Sequence, residues 1–342
     1  AFLSFIMPEH GVAALFLPIV ISILIAMKIV PRKSNFGKIS MLAVAYGCSI
    51  GSLGTLIGGA RNPLAVGILL EYDITVSFFE WMIYAMPVVF ISLPLVWLVL
   101  QFSFPIKIKD ISAAKNEIEN QVKDAGKISK KELSVLFILL LTIFLWIFFS
   151  QPQITNVFGK YYGLAVVAII GGVLLFSTGL INWKDVEKRV PWGIILLYGG
   201  AITLGLGIEK TGAGLWIASG IFDISGNNLF ILVLTLIIFT IILTNVMSNI
   251  AAVAILLPIG ISIAEQLQIN PLLTSMIIAL SGGLAFMFVI STPGNAITYS
   301  SGYFSTRDLL KAGFISNILC IAVIFIVAIL YWIVVLGLDK IV

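Results

Sequence analysis

Charge is scarce in this chain. Only 11% of its 342 residues are Asp, Glu, Lys or Arg, against 60% hydrophobic residues, whereas a soluble domain carries roughly a quarter charged residues. That shortage excludes a water-solvated globular surface and makes lipid the solvent. Histidine occurs once, at His10, and cysteine twice, at Cys48 and Cys320, both in apolar runs. A lone imidazole cannot build a histidine-based metal centre, and two such cysteines exclude a disulfide scaffold and a cysteine-rich metal site. The sequence also lacks a Gly-rich phosphate loop with its Lys, an HExxH, a CxxC and any basic–aromatic pattern for nucleic acid. No cofactor and no nucleic-acid partner are expected. The chain opens at Ala1 inside an apolar run, with neither a basic n-region nor a small-residue cleavage site, so no signal peptide is read there.

What is present is a series of apolar stretches near 11–27, 39–56, 63–70, 76–104, 133–150, 159–181, 192–208, 228–247, 251–264, 271–290 and 312–336. Some reach the ~20 residues that cross a bilayer. Others stop at polar, Gly- or Pro-bearing breaks: GGARNP (58–63), MSNI (247–250) and STPGN (291–295). Basic clusters at Lys28/Arg32/Lys33/Lys38, from Lys107 to Lys131, and at Lys184/Lys188/Arg189 place those loops in the cytoplasm, opposite Glu71 and Asp73. The walk is self-consistent if 228–247 and 251–267 form a re-entrant hairpin entering from outside, which puts the C-terminus outside. Residues 105–132 read as a solvated cytoplasmic linker between two halves, a plain loop in preference to a regulatory element. Glu80, Asp185, Glu187, Glu209, Lys210, Asp308 and Lys311 read as snorkelling or capping residues at span ends, and Trp81, Trp192 and Trp332 as interfacial anchors.

An internal repeat organises the spans. Residues 7–23 (MPEHGVAALFLPIVISI) align with 247–263 (MSNIAAVAILLPIGISI) at an offset of 240, with about half the positions identical and Pro18 opposite Pro258. Downstream, GGARN (58–62) matches STPGN (291–295), setting Asn62 opposite Asn295. Each half thus carries a hairpin tip followed by a broken helix, and the two tips run on opposite courses. The expected fold is an all-α polytopic membrane protein with an inverted-topology repeat, re-entrant helical hairpins and broken transmembrane helices. Its parts are a first repeat over 1–104, the linker 105–132, and a second repeat over 133–342. The second repeat holds scaffold spans (133–226), a hairpin (228–267), a broken helix (271–302) and a last span (310–336). By the symmetry of the halves, about 100 residues are expected ahead of Ala1 in a complete protein.

Broken helices carry chemistry because irregular backbone in hydrocarbon survives only where it is buried in protein or lines a wet cavity. Freed N–H groups attract an anion, and freed carbonyls coordinate a cation. Small polar side chains at the tips complete such a shell: Ser248, Asn249, Thr292, Asn295 and Asn62. Helix capping alone is the plain alternative for any one break.

MSNIAAVAILLPI, followed by FMFVISTPGNAITYSSGYFSTRDLLKAGF (286–314), resembles the divalent anion/sodium symporter family, as does PWGIILLYGGAITLGLGIEKTG (191–212). The resemblance runs over essentially the whole chain. It implies a homodimer in the plasma (inner) membrane, a fixed scaffold, and a moving transport domain that carries small anions, most readily di- or tricarboxylates, together with Na⁺. It further implies substrate contacts from Ser248, Asn249, Thr292 and Pro293; Asn295 and Asn62 join them as polar residues of the breaks, and Arg61 as a guanidinium suited to a carboxylate. A cation would take Thr244, the Met247 backbone, Asn249 and the Ser291 backbone. Ile250 stands where the family has Thr.

The first half departs further. Pro8, Glu9 and His10 stand where the family has Ser, Asn and Thr, and Gly59, Ala60 and Arg61 where it tends to Thr, Pro and Pro. Ser4 and Gly58 remain at positions suited to a first cation site. An Arg in a membrane needs a partner: Glu9 is the nearest candidate, and a substrate carboxylate the alternative. Arg61, or a Glu9–His10 pair, would then stand in for a first Na⁺, and His10 would make transport pH-dependent. An arsenite or Na⁺/H⁺ carrier of the same superfamily is the alternative reading. An intramembrane enzyme or a channel is a more distant one.

Overall fold

A computed structural model of the chain describes residues 1–106, 110–149, 163–189 and 228–339, with scattered positions between 196 and 220. The expected span 192–208, the family-like stretch 191–212 and Trp192 fall largely outside the described residues. A 3₁₀ turn (Phe2–Phe5) precedes α1 (Glu9–Ala26), α2 (Asn35–Gly51), α3 (Arg61–Glu71), α4 (Phe78–Ser103), α5 (Ser112–Ala125) and α6 (Lys130–Phe149). Then come α7 (Gly163–Ser177), α8 (Trp183–Arg189), α9 (Leu229–Val246), α10 (Asn249–Leu267), α11 (Pro271–Ser281), α12 (Pro293–Tyr299) and α13 (Thr306–Val327). A π-helical segment, Ala328–Ile333, continues α13. No strand occurs among the described residues.

Among the described residues six helices are long and apolar enough to cross a bilayer: Glu9–Ala26, Phe78–Ser103, Lys130–Phe149, Leu229–Val246, Asn249–Leu267 and Thr306–Ile333. Their surfaces differ. On α6 only Ile138 is buried, while Leu136, Phe137, Leu140 and Phe144 stand exposed, a face that suits lipid or another protein surface but not water. By contrast α10 is buried nearly all round, with Val253, Leu257, Ile261 and Ala264 at its core. It lies against α11 so closely that a Cβ on Gly260 would strike the Ile278 side chain. Pro18 and Pro258 are each the tenth residue of their helices, α1 and α10.

The packing joins helices distant in the sequence: α1 packs on α12, and α10 packs on α3. Capping boxes start α4 (Ser77 with Glu80) and α13 (Ser305 with Asp308), and Asp185 pairs with Asn182 at the start of α8. The acidic residues at these starts are caps. Asp308 also bonds Lys38 on α2 at 2.8 Å.

Two expectations change. The linker contains a helix, α5, which lies along α1 and hydrogen-bonds from Gln121 to Ser22. Trp81 and Trp332 are fully buried in protein, not anchored at an interface. Their indole N–H groups donate to the Leu53 and Tyr84 carbonyls at 2.9 and 3.1 Å, because an unpaired indole N–H would be costly in a dry interior.

Candidate functional site

Four irregular segments converge. Two are tips: residues 6–8 ahead of α1, and Met247–Ser248 between α9 and α10. Two are breaks: 52–60 between α2 and α3, and 282–292 between α11 and α12. The breaks share one design. Asn62 Nδ2 donates to the Ser52 and Thr55 carbonyls, each at 2.7 Å, and Asn295 Nδ2 donates to the Ala285 and Phe288 carbonyls at 2.9 and 3.0 Å. The acceptors lie ten and seven residues back in both cases. Each amide therefore satisfies carbonyls that its helix lost on ending. Both asparagines are 0% exposed, and neither Oδ1 has a hydrogen-bond partner. Aromatic donors hold a further carbonyl at equivalent places. Trp81 takes that of Leu53, and the Tyr46 hydroxyl lies 3.1 Å from that of Phe286.

At the second tip the groups are neutral. Ser248 caps α10, accepting from the Ala251 N–H at 3.3 Å, and is exposed, as is Pro293. Thr292 caps α12 through the Asn295 N–H at 3.0 Å. Thr244 Oγ1 lies 2.9 Å from Asn249 Oδ1 and 2.6 Å from the Gly282 carbonyl oxygen. The Thr244 hydroxyl, the Asn249 amide and the Gly282 carbonyl bring neutral oxygens together, the kind of donor set a hard cation takes. Asn249 is buried and its Nδ2 has no partner. Ser291 Oγ donates to the Asn245 carbonyl at 2.6 Å, and Asn245 Oδ1 receives the Met287 N–H at 2.9 Å. Met247, the turn residue, is half-buried.

The first tip is charged. Arg61 and Glu9 are 2% and 6% exposed. Arg61 Nη1 stands 3.6 Å from Glu9 Oε2, and Nη2 donates to Ser52 Oγ at 2.8 Å. Ser52 Oγ in turn lies 3.0 Å from Glu9 Oε2 and 2.7 Å from the Ser49 carbonyl, and its one proton serves only one of them. Glu9 suits its place at the start of α1, where the helix dipole favours an anion. Arg61 opens α3, where the dipole disfavours a cation, so the carboxylate has more to offset. The guanidinium fills the gap between the breaks: a Cβ on Gly59 or on Gly283 would collide with it. Gly58 gives its carbonyl to the Glu9 N–H at 3.0 Å, and Ser4, fully buried, lies against Gly58. His10 follows, half-buried, in the first turn of α1.

The sequence residues thus fall into two groups: Ser4, Gly58, Glu9, Arg61 and Asn62 at the first tip, and Thr244, Asn249, Ser291, Thr292 and Asn295 at the second. Sequence reasoning missed Ser52, Gly283, Gly282 and Asn245. Only Ser52 left a signal, as a hydroxyl within ten residues of Asn62.

Helices interrupted in pairs, with polar groups gathered at the interruptions, define a polytopic membrane protein of the transport class. Comparison with known proteins narrows this. A family model described as the sodium:sulfate symporter transmembrane region matches residues 10–338. The chain belongs to that family, which is one of transporters and not of enzymes. An uncharacterized transporter of Haemophilus influenzae is 31% identical over 97% of this chain and 71% of its own length. A sodium-dependent dicarboxylate transporter of Staphylococcus saprophyticus is 32% identical over 90% of this chain and 61% of its own. A sodium-dependent low-affinity dicarboxylate transporter of Caenorhabditis elegans is 30% identical, over 85% and 55%. The chain therefore spans between 55% and 71% of the length of these relatives.

Proposed function

We propose that this chain is the membrane-embedded part of a Na⁺-coupled carrier of small dicarboxylates or tricarboxylates, working by elevator-type alternating access. The observation that carries the reading is the neutral oxygen cluster of Thr244, Asn249 and Gly282 at a helix break, next to capping N–H groups at the starts of α10 and α12. Carbonyl and amide oxygens suit Na⁺, and helix starts suit carboxylates. Relatives whose names include sodium-dependent dicarboxylate transport support the same solutes.

In this reading the two halves form an inverted repeat, with α9–α10 the re-entrant hairpin of the second. Ser248, Asn249, Thr292 and Pro293 face the substrate, and the cation sits at Thr244, Asn249 and the Met247 and Ser291 backbones. Anion and cation bind together, and the neutralised load slides against the scaffold, since uncompensated charge is penalised on crossing apolar surface. The working unit is a homodimer in the plasma (inner) membrane, with the linker cytoplasmic and the C-terminus outside.

Labelled-succinate uptake into proteoliposomes holding the full-length protein tests this, under a Na⁺ gradient, a pH gradient, internal unlabelled dicarboxylate, or none of these. Saturable, Na⁺-driven uptake is expected. Uptake driven only by protons or by internal anion would move coupling to Glu9, His10 and Arg61. Absence of succinate uptake under every condition would reject the carboxylate assignment.

A further inference from the structure

Resting on the Na⁺-coupled reading, we infer that the chain has one cation site, at the second tip, and that the first tip is closed by its own residues. The repeat makes the comparison internal, position against position. Glu9 corresponds to Asn249 at an offset of 240, and Gly58, Arg61 and Asn62 to Ser291, Gly294 and Asn295 at an offset of 233. The shared asparagine bonds, ten and seven residues back in both breaks, follow that second register.

Three differences follow. The Gly58 carbonyl is committed to the Glu9 N–H at 3.0 Å, whereas among the described residues no backbone N–H of Asn249 donates to the Ser291 carbonyl. The Glu9 carboxylate is paired with Arg61 at 3.6 Å, whereas Asn249 offers a neutral amide 2.9 Å from the Thr244 hydroxyl. Where the second break has only the hydrogen of Gly294, the first has a guanidinium held between Gly59 and Gly283.

An ion entering the first tip would meet a like charge at close range and a carbonyl already in use. The ion pair is thus an internal substitute for a bound ion. It ties the first break to the second through Gly283, and the second tip alone responds to Na⁺.

The test is Na⁺ binding to the purified full-length protein in detergent, without substrate, at constant ionic strength. It is read as bound ²²Na⁺ per chain and as the Na⁺ dependence of thermal unfolding. One Na⁺ per chain with a Hill coefficient near one is expected. Thr244→Ala should weaken the response at least tenfold, while the paired Glu9→Gln/Arg61→Met variant should keep one Na⁺ with affinity within about twofold. Two Na⁺ per chain, a response surviving Thr244→Ala, or loss of Na⁺ in the paired variant overturns the inference and leaves Na⁺ coupling standing. No bound Na⁺ in the unaltered protein overturns the Na⁺-coupled reading itself.

Discussion

Replacing Glu9 by Gln removes one charge from a pair whose members are 6% and 2% exposed and 3.6 Å apart. The shape is kept, so the loss is electrostatic. Breaking a buried pair by removing one partner costs about 3–5 kcal/mol, chiefly because the other charge stays behind. The helix-dipole contribution of Glu9 at the start of α1 adds about 0.3–1 kcal/mol. Arg61→Met should cost a similar amount, since it leaves the carboxylate as the buried unpaired charge. The double variant should be more stable than the sum of the single losses implies, with a coupling above ~1 kcal/mol. Urea unfolding in mixed micelles, run on all four proteins, gives the cycle. Additivity within ~0.5 kcal/mol would mean that the two groups do not sense each other, and the account of the first tip would fall.

Gly283→Ala should destabilise by about 1–3 kcal/mol in the same assay, as a methyl enters the guanidinium's place, and Arg61→Ala should recover most of that loss. Asn62→Leu and Asn295→Leu should each cost about 2 kcal/mol or more, because each leaves two buried carbonyls without their donor. A marked inequality between the two would show that the breaks do not share one design.

Much of this architecture is legible in the sequence, because in a membrane the constraints on a helix are written in apolar length. The stretch 228–247 becomes Leu229–Val246, and 76–104 becomes Phe78–Ser103. Asn62 and Asn295 stand out because polar residues beside Gly and Pro interrupt apolar runs. Glu9 as the partner of Arg61 follows from the cost of a lone charge. The rest is hidden for physical reasons. Tryptophan suits both a membrane interface and a protein interior, and only the acceptor tells which, as the Leu53 carbonyl does for Trp81. Gly283 has no side chain to announce that it faces Arg61. Helix α5 lies in a charged segment whose few apolar positions, such as Ile118 and Val122, are too sparse to mark its place against α1.

The asparagine bonds at the breaks also bear on how such a chain can change length over evolution. Irregular connections ordinarily absorb insertions and deletions, since nothing in them depends on the residue count. Here a single amide spans from the end of one half-helix to the start of the next, reaching carbonyls ten and seven positions back. One residue added between Thr55 and Asn62, or between Phe288 and Asn295, would move the amide off both acceptors at once. These two irregular segments are therefore rulers. They should hold their length while the connections around them drift.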